Sequence, residues 1–326
     1  LILLIMVKLL DCTIRDGGIV NDFDFNIEFV ENTLEIIDKS NIDFFEIGYV
    51  HTNKYLNSSD GIWKNVPFNI VLNIKEKYNP KCLFSTCVDF GKFELEQFQK
   101  SSKTGIDLIR VVGLYEDMGG ILEILPNLKE KGYLVSINLM ATSHCSIDNL
   151  KNLVKMINSS TIKPDFFYIA DSFGALFPSD IKRIFNIINK LDKIKLGFHG
   201  HNNLQLAFAN SLEAIENGAY IIDGTLYGMG KCAGNLPIEK MVSYLKYHHK
   251  YDYDEKPLLN YIKNDMVEII KKYEWGYKLK YMITGILNAT PRYGQRYIEN
   301  GKKINEISEK LVTLSLTEKR KYTKEK

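Results

Sequence analysis

Cysteine is scarce and never paired in this sequence. Cys12, Cys82, Cys87, Cys145 and Cys232 are scattered, with no C-x-x-C among them. That argues against a disulfide framework and for free thiols in a reducing, cytoplasmic setting. Long apolar runs are missing too. Leu1–Met6 is apolar, but Lys8 and Asp11 cut it short, and it lacks the basic lead and cleavage pattern of a secretion signal. Met6 is the expected natural start, with Leu1–Ile5 a product of gene calling or cloning. No charge excess stands out: 42 Lys+Arg against 40 Asp+Glu leave +2, so neither nucleic acid nor a membrane is expected as a partner. The basic end (Lys319, Arg320, Lys321, Lys324, Lys326) is interleaved with Glu318 and Glu325 and reads as a solvated, frayed tail. No G-x-G-x-x-G follows the first strand pattern, and no repeat of 20 to 50 residues is visible.

What remains is an ordinary globular composition, 45% hydrophobic and 25% charged over 326 residues. Short apolar runs alternate with helical patterns up to about residue 245. The expected strands are Lys8–Thr13, Phe44–Val50, Leu83–Val88, Leu108–Leu114, Leu134–Ala141, Phe166–Ala170, Ile194–His199 and Tyr220–Leu226. Helices are expected at Ile27–Lys39, Glu94–Ser101, Ile121–Lys131, Ile147–Asn158, Ser179–Leu191 and Leu204–Asn217. Strand then helix, repeated over this length, predicts a closed (β/α)₈ TIM barrel in residues 1–245. A doubly wound open sheet is the alternative. Residues 246–326 read as a C-terminal helical extension, with helices near Leu258–Tyr273 and Ile304–Leu314 and a turn-rich stretch from Gly285 to Gly294.

A barrel places its chemistry at the carboxyl ends of the strands. His199 and His201, in Gly197-Phe198-His199-Gly200-His201-Asn202-Asn203, share one face because strand side chains alternate. Asp11-Cys12-Thr13-Ile14-Arg15-Asp16-Gly17-Gly18 ends the first strand. One carboxylate and two imidazoles make a three-ligand site with room for substrate oxygens. Mixed oxygen and nitrogen donors suit Mn²⁺ or Mg²⁺ as well as Zn²⁺, and no thiolate is placed to favour zinc. Read singly, Arg15–Asp16 is a surface ion pair, and the histidines are as readily two loop residues as ligands.

Together the two motifs resemble the metal-dependent aldolase/lyase superfamily of TIM barrels, the pyruvate carboxyltransferase-like and HMG-CoA lyase-like proteins. The resemblance runs through Asp11–Gly18, Phe44–Gly48, Ala170–Gly174, Gly197–Asn203 and Gly228–Glu239. It implies that Asp16, His199 and His201 ligate a divalent cation, with Asn235 a further ligand. It gives Arg15 the oxygen that becomes an enolate, and Glu46 either the orienting of Arg15 or a place in a barrel layer. Asp171 and Ser172 fall where such aldolases bind substrate, and His144 is a candidate substrate contact.

Among subgroups the 4-hydroxy-2-oxovalerate aldolase branch matches best. Gly17-Gly18 is not followed by the Glu-Gln of the acetyl-CoA-condensing synthases, and Asn203 stands where they carry aspartate. The loop holding Cys232 is shorter than the one bearing the catalytic cysteine of hydroxymethylglutaryl-CoA lyase. The implied activity is cleavage of a 4-hydroxy-2-oxo acid through a pyruvate-type enolate. Two departures stand out. Ile19 occupies the position of the aldolases' proton-moving histidine, and Thr290-Pro291-Arg292-Tyr293 replaces a His-Pro turn. Tyr293, His51 or a metal-bound hydroxide would have to supply the base. Two other readings stay open. One is a condensing enzyme for acyl-CoA or phosphorylated substrates, with Lys231 holding phosphate, although a tight glycine turn explains that loop as well. The other is an altered barrel serving as a binding or scaffold subunit. The branch's aldehyde dehydrogenase partner is not expected, given the changed turn; a homodimer is.

Overall fold

The computed structural model describes residues 6–321. Leu1–Ile5, Lys324 and Lys326, and with them the expectations on the chain start and the far end of the tail, lie outside the described residues. Eight parallel strands close in sequence order into a barrel. They are β1 (Lys8–Asp11), β2 (Phe44–Tyr49), β3 (Leu83–Asp89), β4 (Leu108–Gly113), β5 (Leu134–Leu139), β6 (Phe166–Asp171), β7 (Lys195–Gly200) and β8 (Ala219–Gly224). The ring is sealed by β1 pairing with β8, Leu10 opposite Asp223. The (β/α)₈ expectation therefore holds, and the open sheet does not.

Period-two alternation builds two different interiors. Side chains facing outward, such as Ile109, Val111, Ile137, Phe167, Ile169 and Phe198, join the helices in one large apolar core. Inward residues stack in levels. Leu10, Phe44, Leu108, Phe166 and Ile221 form an apolar floor. Above them the fill turns ionic, with Glu46, Arg110 and Asp223 at 0–2% exposure. Tyr168 lies flat under the Arg110 guanidinium, 4.4 Å from the ring centre. Gly197 makes this possible, because a Cβ there would stand 2.5 Å from the Tyr168 ring.

The outer helices are α1 (Ile27–Lys39), α2 (Phe68–Tyr78), α3 (Met118–Glu130), α4 (Ile147–Ser159), α5 (Pro178–Ile188), α6 (Ala207–Glu216) and α7 (Ile238–His249). Two differ from expectation. The segment α2 is rich in Asn and β-branched residues and carries a weak helical signal, yet it buries Val71 and Ile74 and ends on left-handed Asn79. Conversely, Glu94–Ser101 is no α-helix but two 3₁₀ turns around an extended Phe98. Phe98 is buried among Phe68, Phe93 and Tyr133, ring centres 5.8–5.9 Å apart. Burying that ring outweighs the weak helix propensity of the segment.

The eighth unit runs past residue 245, since α7 continues to His249. Beyond it come α8 (Lys256–Asn264), α9 (Val267–Lys272), α10 (Leu279–Ile286), α11 (Arg292–Glu299), α12 (Ile304–Val312) and α13 (Leu316–Arg320). The expected helix at Leu258–Tyr273 is broken at Asp265 and buried Met266. The expected turn-rich stretch is shorter than foreseen, as α10 and α11 take both its ends. The described start of the tail is docked rather than frayed: Arg320 pairs with Glu116 at 2.9 Å, and the Lys319 carbonyl accepts from Thr290 N.

This extension starts under the barrel and finishes over it. Tyr253 donates to Asp43 beneath β1 and β2. Residues 275–291 then cross the mouth. Trp275 donates to the Tyr227 carbonyl, Gly276 N to Cys232, and His144 Nε2 to the Asn288 carbonyl at 2.7 Å. Among the described residues no helix is long and apolar enough to cross a membrane.

Candidate active site at the barrel mouth

The end of β1 explains the first motif. Asp11 accepts from both the backbone and the hydroxyl of Thr13, and Thr13 Oγ1 accepts from Leu226 N. Asp11 and Thr13 thus staple β1 to the loop after β8 and leave the next two polar residues facing the mouth. Arg15 donates from Nη1 to Asp16 at 2.5 Å and from Nε to Glu46 at 2.6 Å. On the far side of the ring, β7 presents His199 and, just beyond it, His201, with ring centres 5.0 Å apart.

Asp16, His199 and His201 each offer a ligand atom, and these atoms all lie within 4.8 Å of one another. Asp223 on β8 accepts from His199 Nδ1 at 3.0 Å, which turns Nε2 toward Asp16, 3.5 Å away. This is the carboxylate–imidazole pairing that fixes the tautomer of a metal-ligating histidine. The Asn235 amide donates to Asp16 at 2.9 Å, while its own buried oxygen has no hydrogen-bond partner among the described residues. A carboxylate, two imidazoles and an orphaned amide oxygen fit a divalent cation. A second cluster, Cys12 with His199 and Asp223, fits less well. Burial pushes the Cys12 thiol well above its ordinary value, and it donates to the Gly224 carbonyl.

Behind the triad the ions form a closed chain. Arg15 joins Asp16 to Glu46, Arg110 joins Glu46 (2.9 Å) to Asp223, and His199 joins Asp223 back to Asp16. Three carboxylates face two guanidiniums, so with neutral imidazoles the ring carries one excess negative charge. Burial alone would raise Asp16, but Arg15 and the two imidazoles outweigh it and hold the carboxyl well below its usual range. His201 is pushed down to about 4 by burial, then by His199, Arg15 and Lys231. It is thus neutral near pH 7, the form that binds metal.

Above the ring is a cavity of about 220 Å³. Arg15, Asp16, Ser172, His199 and His201 line it, with Ile19, Tyr49, Asp89, Asn138, Lys231, Thr290 and Pro291. Glu46 sits below as the brace of Arg15. Ser172 Oγ accepts from Ala141 N, leaving its proton to donate. Two expected substrate contacts are turned elsewhere. Asp171 caps the next loop, accepting from Ala175 N and Leu176 N. His144 is spent on the Asn288 carbonyl and packs against Phe173. Neither lines the cavity. Tyr293 lies outside it as well, its hydroxyl donating to the Glu318 carbonyl. His51 stands behind Asp89, 3.5 Å from Oδ2. Asp223 and Tyr49 escaped the sequence reading; a lone acid inside the apolar run Ala219–Gly224 was the available signal for the first.

Fold and site define a (β/α)₈ barrel of the lyase and aldolase class. The chain belongs to the HMGL-like family, which its sequence matches over residues 6–262. It is 27% identical over 251 residues to an oxaloacetate decarboxylase of Mycobacterium tuberculosis, covering 73% of this chain and 69% of that one. It is 25% identical over 236 residues to a 4-hydroxy-2-oxovalerate aldolase of Geobacillus thermodenitrificans, covering 72% and 68%. The solved N-terminal domain of a presumed aldolase from Bacteroides vulgatus superposes with a TM-score of 0.80 at 28% identity, covering 93% of this chain and all of that one.

Proposed function

We propose that this chain is a divalent-metal-dependent carbon–carbon lyase that cleaves a 4-hydroxy-2-oxo acid to a 2-oxo acid and an aldehyde. The observation that carries this reading is the convergence of Asp16, His199 and His201 ligand atoms within 4.8 Å, beside a guanidinium. Asp16, His199 and His201 would hold the cation, with Asn235 Oδ1 as a further donor; Mn²⁺ and Mg²⁺ suit this set better than Zn²⁺. When bound, the cation supplies a Lewis acid that favours negative charge on a carbonyl oxygen.

The remaining roles fall to side chains. Two of the three Arg15 nitrogens are committed, Nε to Glu46 and Nη1 to Asp16. Nη2 remains to hold the oxygen that gains charge as the C3–C4 bond breaks and its electron pair moves to the former carbonyl. The 4-hydroxyl proton must leave as the aldehyde forms. Ile19 cannot take it, whereas Asp89 lines the cavity with His51 behind it. We assign the proton to Asp89. Burial would raise that carboxylate, but His51 and Lys92 hold it down to about 2; it is ionised near pH 7 yet a weak base, and its role as acceptor rests on its place in the cavity wall. The cavity's size supports a small substrate over an acyl-CoA. Glycines after β8 serve close packing: a Cβ on Gly234, at φ +77°, would stand 2.1 Å from the Gly228 carbonyl oxygen.

The test is pyruvate release from a panel of 4-hydroxy-2-oxo acids, using chelator-stripped enzyme with and without Mn²⁺. Turnover is expected only with metal, and Asp89→Asn should lower kcat by about 10²-fold or more. Absence of metal-dependent cleavage across the panel would remove the reading.

A further inference from the structure

Every charged group in the cavity wall but one has a partner of opposite sign. Asp16 has Arg15, Arg15 has Glu46 as well, and Asp89 has Lys92 at 2.6 Å and His51 at 3.5 Å. Lys231 lines the same cavity, is half-buried, and pairs with no carboxylate among the described residues. A shielded cation without a counter-ion is costly. Lysine also brings three donors and no acceptor, so neighbouring carbonyls do not neutralise it.

The loop holds the backbone at Lys231 in place. Cys232, next in sequence, is left-handed at φ 62°, and Gly228 and Gly234 are too. Asn202 N donates to the Gly234 carbonyl, and Gly276 N to that of Cys232, so β7's loop and the C-terminal extension grip it from both sides. The residue before it, Gly230, packs so tightly that a Cβ would stand 2.2 Å from Asn235 Nδ2 and 3.1 Å from Asp16 Oδ1. Lys231 is therefore next to the ligand triad.

A 2-oxo acid brings two demands to that spot, a ketone oxygen and a carboxylate beside it. Arg15 has one uncommitted nitrogen, enough for the ketone oxygen alone. We propose that Lys231 is the counter-ion of the substrate's carboxylate, so that the site takes 2-oxo acids and rejects their uncharged amides and esters. This rests on the 2-oxo acid reading above and extends it to the group that recognises the acid.

The experiment is calorimetric titration of the full chain with pyruvate, its uncharged isostere pyruvamide, and inorganic phosphate, at saturating Mg²⁺. Wild type, Lys231→Met and Lys231→Arg are compared, with thermal melts to verify folding. Wild type should bind pyruvate roughly 30-fold or more tighter than pyruvamide, the loss expected when one member of a shielded charge pair is removed. Lys231→Met should bind the two alike, and Lys231→Arg should restore most of the preference. Equal binding by wild type, or a preference that survives in Lys231→Met, overturns the assignment while leaving the 2-oxo acid reading intact. If neither pyruvate nor pyruvamide binds, both fall. If phosphate binding alone depends on Lys231, the amine serves a phosphorylated group and the carboxylate assignment is wrong.

Discussion

Arg15→Ala is expected to lower kcat by about 10³-fold while the KM for a 4-hydroxy-2-oxo acid moves far less. The reasoning starts from which nitrogens are free. Glu46 and Asp16 fix two edges of the guanidinium, at 2.6 and 2.5 Å, and Tyr49 lies 5.7 Å from its carbon. The group cannot swing, so Nη2 meets a developing oxyanion without reorganisation, and such preorganised contacts act on the transition state more than on bound substrate. Lysine keeps the charge but not the fork, so Arg15→Lys should recover little of the loss. Steady-state kinetics at saturating Mn²⁺ gives the answer. If Arg15→Lys stays within a few-fold of wild type, charge alone suffices and the geometric argument fails.

The strands were the most legible part of the fold. Each carries apolar residues on its outer face, bounded by turn residues, and that pattern survives without neighbours to interpret it. The helix α2 was not legible because its stability comes from what Val71 and Ile74 bury against the barrel, not from the propensity of its own residues. Phe98 shows the converse, a helical pattern undone by an aromatic cluster that joins its neighbour Phe93 to two distant residues, Phe68 and Tyr133. Within the site, the structure brings together the residues that short motifs single out. His199 lies on β7 with His201 just past its end, and Arg15 and Asp16 follow β1 in a turn fixed by Asp11 and Thr13, so short local offsets bring all four to the mouth. His144 and Asp171 do not line the cavity, because the right end of a strand is not enough to aim a side chain. Which way a loop residue turns depends on partners such as the Asn288 carbonyl and the amides of Ala175 and Leu176. The partner that orients His199 was invisible for a similar reason. Asp223 announces nothing locally, and its role exists only once β8 closes against β7.

Arg110→Met is expected to destabilise the fold by about 3–5 kcal/mol, read as a shift in the denaturant midpoint at unchanged slope. Arg110 is fully buried and joins Glu46 to Asp223 through the middle of the barrel. Removing it leaves Glu46 only Arg15 and Asp223 only His199 as partners, two buried carboxylates short of a counter-charge, whereas removing all partners together would leave a packable apolar space. The double variant Arg110→Met/Asp223→Asn should therefore recover part of the loss, a coupling that two independent contributions would not show. That recovery should not extend to the site. Asp223→Asn weakens the acceptor facing His199 Nδ1, and removal of such a partner typically costs about 10- to 100-fold in metal affinity. The double variant should thus be more stable than Arg110→Met yet bind Mn²⁺ more weakly than wild type. A double variant that binds Mn²⁺ as wild type does would show that Asp223 serves the barrel's interior alone, and that His199 finds its orientation elsewhere.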